Sequence, residues 1–182
     1  MSSERILLDG EGIAEKVEAL AAAIRLACGD EVPAFGGVYT RGVTLAKRVK
    51  AALKDEWSEI ALGTLDVSLY RDDLDDLQSA PKLESSDIPF TLEGTRVVLF
   101  DEVIYTGRTT RAALDVLMDY GRPARVDLAV LVDRGGRELP LQPDFVGLKV
   151  ETGERDYVAV RFAEDDGRDG GFLKSGLRED GN

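Results

Sequence analysis

The stretch VVLFDEVIYTGRTT, residues 97–110, carries the densest chemistry in the chain. An apolar run ends on two adjacent carboxylates, Asp101 and Glu102. A short turn follows, Tyr105-Thr106-Gly107-Arg108-Thr109-Thr110, and then a helical pattern. A helix start exposes unpaired backbone N–H groups and the positive end of the helix dipole, which together suit an anion such as phosphate. Thr106, Thr109 and Thr110 can add hydroxyl donors, and Gly107 lets the backbone approach a ligand closely. The carboxylates would repel that phosphate. They suit neutral hydroxyls, or a metal holding those hydroxyls. A sugar phosphate satisfies both, its ribose on the acids and its 5′-phosphate in the turn. A capped strand–turn–helix with no ligand explains the bare pattern about as well. The apolar strand before it and the helix after it supply the context that phosphate binding requires.

Other chemistry is excluded by composition. The sequence has no histidine, which removes histidine triads, histidine metal sites and histidine acid/base catalysis. One cysteine, Cys28, cannot form an internal disulfide and sits in an apolar pattern as a small core residue. Any metal would be a hard ion held by oxygen, such as magnesium. A net charge of −12 does not suit a protein whose main task is gripping a polyanion. No apolar run reaches the length of a membrane span, so no membrane association and a cytoplasmic location are expected.

The elements that must position these residues read as α/β. Residues 12–28 have helical spacing, with Ile13, Val17, Leu20, Ile24 and Ala27 on one face. A short strand is expected at 34–39, a helix at 43–57 and a strand at 60–70. Residues 71–87 are acidic and weakly periodic, a projecting loop. A buried strand at 96–101, a helix at 109–121, a strand at 125–135 and two late strands follow. Strands alternating with helices indicate a mostly parallel central sheet. The division expected is one domain over 1–162 and a disordered acidic tail over 163–182.

The stretch DEVIYTGRTT, between an apolar strand and a helix, resembles the signature of type I phosphoribosyltransferases. TRGVTLAKRV, LDVSLYRDDL and the run from Ile88 to Gly147 extend that resemblance to the PyrR family over roughly residues 34–150. The resemblance implies the type I phosphoribosyltransferase fold, with a flexible loop at about 70–87 and a small hood. It implies a reaction of uracil with 5-phosphoribosyl-1-diphosphate to give UMP and diphosphate, with Mg2+. It also implies a second role, RNA-binding attenuation of pyrimidine genes, and a homodimer or dimer of dimers.

The same resemblance assigns roles by position. Asp101 and Glu102 face the ribose hydroxyls, and the metal indirectly. Tyr105, Thr106, Gly107, Arg108, Thr109 and Thr110 cradle the 5′-phosphate. Thr40, Arg41 and Gly42 form the diphosphate loop, although alone this is a plain surface turn. Arg71, with Tyr70, Asp72 and Asp73, starts a lid and reaches the diphosphate. A solvated acidic hairpin accounts for Asp75 and Asp76 equally well. Val132, Asp133, Arg134 and Arg137 lie by the base, and a structural ion pair explains Asp133 and Arg137 equally well.

The chain departs from the family pattern in places. Glu102 stands where family members usually carry Asp. Ala21 and Ala22 stand where the first helix of the regulators carries RNA-facing residues, and Gly136 where they carry histidine. Lys47, Arg48, Lys50, Lys54 and Arg25 remain as a basic face, which is most often only a solvated helix surface. Three readings follow: a uracil phosphoribosyltransferase, a UMP-responsive RNA attenuator, and a catalytically weak nucleotide sensor acting on protein partners.

Overall fold

The computed structural model describes residues 3–70 and 85–175. Five strands form one parallel sheet in the order β3-β2-β4-β5-β6. They are β2 Ala34–Val38, β3 Leu62–Leu65, β4 Arg96–Ile104, β5 Arg125–Asp133 and β6 Phe145–Lys149. In β4, Val98 and Phe100 join one core cluster while Val97 and Leu99 join the other. A strand covered on both faces needs a continuous apolar run, and VVLF is one.

Two helices cover the first face, α1 Gly10–Cys28 and α2 Arg41–Ala52. The third, α3 Arg108–Asp119, covers the second through Ala112, Ala113, Val116 and Leu117. Helix α1 buries Ile13, Val17, Leu20 and Ile24 as its spacing dictates. Ala27 does not join them; it is exposed, and Ala21 and Cys28 are buried instead. Helix α2 ends at Ala52, five residues before its periodic pattern does. Trp57 is buried all the same, folded back so that its backbone N–H reaches the Leu53 carbonyl. The strand expected over 60–70 holds only from Leu62 to Leu65 and gives way to a 3-10 turn at Ser68–Tyr70.

A second sheet, absent from the sequence reading except as a hood of unknown make-up, has the order β1-β8-β7. Its strands are β1 Ser3–Leu8, β7 Tyr157–Arg161 and β8 Gly170–Ser175, all antiparallel neighbours. A short helix, α4 Ala163–Asp166, links β7 to β8. The expected disordered tail therefore does not hold over 163–175. Phe172 and Leu173 are buried there. Their partners across the sheet are Ile6 and Arg5, at the other end of the chain. Local polarity misleads because these contacts join distant parts of the sequence. Residues 176–182 lie outside the described residues.

Candidate active site

In an open parallel sheet a ligand binds beyond the carboxyl ends of the strands, where the strand order reverses. Here the chain runs from β2 outward to β3, then returns to place β4 on the other side of β2. The crevice between β2 and β4 is thus the reversal point. Helix α2 starts beyond β2 and α3 starts beyond β4. A cavity of about 840 Å³ lies there, lined by Asp101 through Gly107, Thr109, Thr110, Arg41 and Arg134. The hood closes it with Tyr157 through Arg161 and Lys174.

Asp101 is the buried member of the acid pair, 6% exposed. The backbone N–H of Glu102 donates to its Oδ1 at 2.9 Å. Burial first, and then the negative charge of Glu102, push the Asp101 carboxyl well above the ordinary carboxylate range. One backbone donor offsets this only in part. A carboxylate so placed gains from any hydroxyl donor or cation that enters the cavity.

The turn after β4 reaches α3 through Gly107, whose φ of 90° is the left-handed conformation that glycine adopts at no steric cost. It presents Thr106, Gly107, Thr109 and Thr110 to the cavity. Arg108 turns elsewhere: its Nε donates to Glu138 Oε2 at 2.7 Å, and its side chain does not line the cavity. The turn is bound to the loop after β5. The backbone N–H groups of Glu138 and Leu139 donate to the Thr106 carbonyl at 2.9 and 3.1 Å. Arg137 donates to the Tyr105 and Leu141 carbonyls, each at 2.9 Å, and pairs with Asp133 at 2.8 Å. Arg137 and Asp133 are therefore a brace for the two loops and do not line the cavity, nor does the buried Val132.

Arg134 does line it. It is 6% exposed, and its guanidinium carbon lies 3.9 Å from the centroid of the Tyr105 ring. Its Nε donates to Thr152 Oγ1 at 3.2 Å. Among the described residues, Nη2 has no hydrogen-bond partner. Burial lowers its pKa from the ordinary arginine value. The Tyr105 ring is also packed on Gly136, where an added Cβ would sit 2.2 Å from a ring carbon. Gly136 has φ 72° and accepts that conformation freely.

Arg41 comes from the first turn of α2, which packs so close to β4 that a Cβ on Gly42 would lie 2.4 Å from the Phe100 carbonyl oxygen. The peptide bond between Tyr39 and Thr40, just before, is cis. Thr40 and Gly42 do not line the cavity, whereas Arg41 does. Arg71 and the rest of the expected lid, 71–84, lie outside the described residues.

The sequence reading missed the hood's share of the site. Arg161 and Lys174, with Arg41 and Arg134, bring cationic side chains to the cavity wall. Asp101, Glu102, Glu154 and Asp156 bring acids. A chain with a net charge of −12 thus keeps a locally balanced, two-sided cavity. The only sequence signal for Arg161 was its place in the late strand YVAVRF, which says nothing of what that strand faces.

A phosphoribosyl transferase domain model matches residues 3–166. A bifunctional protein PyrR from Akkermansia muciniphila is 44% identical over 173 residues, covering 95% of this chain and 97% of that one. The chain belongs to the PyrR family. Another family member, bifunctional protein PyrR from Thermus aquaticus, is 50% identical over 142 residues, 78% of each chain. A hypoxanthine-guanine phosphoribosyltransferase from Bacillus anthracis superposes with a TM-score of 0.71, at 19% identity, over 95% of this chain and 98% of that one. That likeness concerns the fold alone, and the fold is that of the type I phosphoribosyltransferases, as the sequence implied.

Proposed function

We propose that this member of the PyrR family is a uracil phosphoribosyltransferase, transferring the ribose 5-phosphate of 5-phosphoribosyl-1-diphosphate to uracil with release of diphosphate. The observation that carries the reading is the meeting of the acid pair and the α3-start turn on one wall of one cavity. Asp101 and Glu102 offer acceptors to ribose hydroxyls, and the turn offers donors to a phosphate. Breaking the C1–diphosphate bond leaves positive charge on the sugar ring. Carboxylates beneath the ring favour that charge most in the transition state. Arg41, within the expected diphosphate loop, is the member of that loop that lines the cavity and supplies a cation for the diphosphate.

Mg2+ is a cofactor under this reading. No group of three or more acids, histidines or cysteines suited to a metal occurs among the described residues. The donors in the cavity are nevertheless hard carboxylate oxygens, which fit a hard ion held partly by substrate oxygens and water. Asp101 and Glu102 would hold it, through water or the ribose hydroxyls. When bound, the ion neutralises charge on the leaving diphosphate.

The test is a labelled-base assay with Mg2+ and 5-phosphoribosyl-1-diphosphate, comparing uracil with orotate and hypoxanthine. UMP formation specific to uracil, reduced at least about 100-fold in Asp101→Ala, is the expected result. Turnover with hypoxanthine in preference to uracil would sink the base assignment, and no turnover with any base would sink the enzyme reading.

The relatives are named as bifunctional proteins, which favours a second role, and UMP-responsive RNA binding is its proposed form. Within the basic face left for RNA, Arg48 is engaged by Glu164 and Asp169, and Arg25 by Glu56 and the Trp57 ring. Lys47 and Lys54 are exposed. A gel shift with pyrimidine-leader RNA tests this role. UMP-enhanced binding at modest salt supports it, and its absence removes it.

A further inference from the structure

The acidic segment between β7 and β8 packs on one face of α2, the helix that begins with the expected diphosphate loop. Three α2 side chains meet it. Arg41 donates to Asp166 through Nε at 3.0 Å and Nη2 at 2.6 Å. Thr44 Oγ1 donates to Asp165 Oδ2 at 2.6 Å. Arg48 donates to Glu164 through Nε at 2.9 Å and to Asp169 through Nη1 at 2.9 Å. The two arginines differ in what else they touch. Arg41 lines the cavity and Arg48 does not.

We propose that Asp166 is a positioning residue for Arg41, aiming its guanidinium at the anionic leaving group of the substrate. The inference rests on the proposed phosphoribosyl transfer. Asp166 is itself fixed. Its Oδ2 accepts from the backbone N–H of Phe162 at 2.9 Å, and Phe162 is fully buried. Asp166 lies behind Arg41 and outside the cavity lining. A guanidinium has five N–H groups in a rigid plane. Asp166 takes the Nε–Nη2 edge. The Nη1 group has no acceptor among the described residues, so the other edge is left for a ligand. A long side chain held this way has its rotamers chosen before the ligand arrives. Charge alone would argue the reverse, because Asp166 cancels part of the positive charge that attracts an anion. The two effects therefore predict opposite results on removing the carboxylate, and the backing geometry selects positioning.

The test uses the full chain with Asp166→Asn, Asp166→Ala and Asp166→Glu, and Asp169→Asn as a control on the neighbouring Arg48 contact. Steady-state kinetics are measured against each substrate, with melting temperatures alongside. Asp166→Ala is expected to raise KM for 5-phosphoribosyl-1-diphosphate about tenfold and to leave KM for uracil within about twofold. Asp166→Asn should fall between it and the unaltered chain, with Asp166→Glu restoring part of the loss. Asp169→Asn should lower the melting temperature and leave both KM values in place. An unchanged or lowered KM for the diphosphate substrate in Asp166→Ala and Asp166→Asn overturns the inference while leaving the enzyme reading intact. A comparable rise in Asp169→Asn also overturns it, since any loosening of the hood would then suffice. Failure of the unaltered chain to bind that substrate by calorimetry overturns the enzyme reading and this inference together.

Discussion

Two aspartates on neighbouring strands show how differently the ends of one sheet treat a buried charge. Asp127 of β5 lies toward the amino ends of the strands and is 1% exposed. Arg96 and Arg125 both donate to it, at 2.7 and 2.6 Å. Asp101 of β4 lies toward the carboxyl ends, is 6% exposed, and has one backbone donor with an acid next door. The first carboxylate is satisfied by the protein. The second is left for something else to satisfy, and folding bears the cost of that. The contrast separates an acid satisfied by the protein from one left open to a ligand more sharply than residue type or burial does.

The contrast can be broken most directly at Asp127. Asp127→Ala removes the closest partner of Arg96, whose side chain is 10% exposed, and leaves it the Ala27 carbonyl at 3.2 Å and Glu31 at 3.6 Å. A loss of about 3–5 kcal/mol in urea unfolding is expected. A loss under about 1 kcal/mol would place Asp127 with the surface pairs. Asp101→Asn should act in the opposite direction on stability. It removes a buried charge and keeps the acceptor oxygen, so a gain of about 1 kcal/mol at neutral pH is expected, together with loss of turnover. A destabilised Asp101→Asn would show that the carboxylate is structural after all.

The pH dependence sharpens the same point. The folded-state pKa of Asp101 is raised. Its stabilising contribution is therefore complete below the unfolded carboxylate value and is lost as pH rises through the folded value. The stability advantage of Asp101→Asn should shrink as pH falls from neutral toward about 4. In the hood the sign reverses. Hydrogen bonds from Arg41 and Arg48 lower the pKa of Asp166 and Asp169. Their contribution holds above the unfolded value and disappears as pH falls through the folded ones. Both proteins should thus lose stability together below about pH 4. Melting curves across this range measure both limbs, and a constant gap between the two proteins would refute the assignment for Asp101. An effect on stability as small as that at Asp101, and opposite in sign, is expected at Gly136→Ala. Its positive φ and the Tyr105 ring against it predict a loss of about 1 kcal/mol in thermal unfolding.

Much of this was legible in the residues. VVLF is apolar at every position because β4 is covered on both faces, and that run announces a parallel sheet. The two acids after it and the turn from Tyr105 to Thr110 are contiguous in sequence, so their meeting needed only a strand and a helix start. The loop from Asp133 to Arg137 was visible as a candidate, but not the split within it. Arg134 and Arg137 are three residues apart and alike in type, yet one lines the cavity and the other braces the loops. Which does which depends on the Tyr105 ring and the carbonyls that meet them in space. The acidic stretch after Phe162 misled more thoroughly. Its charges look solvated until Arg41 and Arg48 are brought to it from α2.

By itself, then, the sequence determined the α/β class, the parallel core and the acid pair with the turn after it, because each is a local pattern of period, burial and spacing; its motifs carried the resemblance to the family. Only the tertiary structure decided that the chain's two ends build the hood, that Arg161 and Lys174 face the cavity, and that Asp166 backs Arg41. Those outcomes depend on pairs more than a hundred residues apart in the chain, such as Arg41 with Asp166. Local periodicity carries no information about such pairs, since it is the packing of the two sheets and α2 that brings them within hydrogen-bond reach.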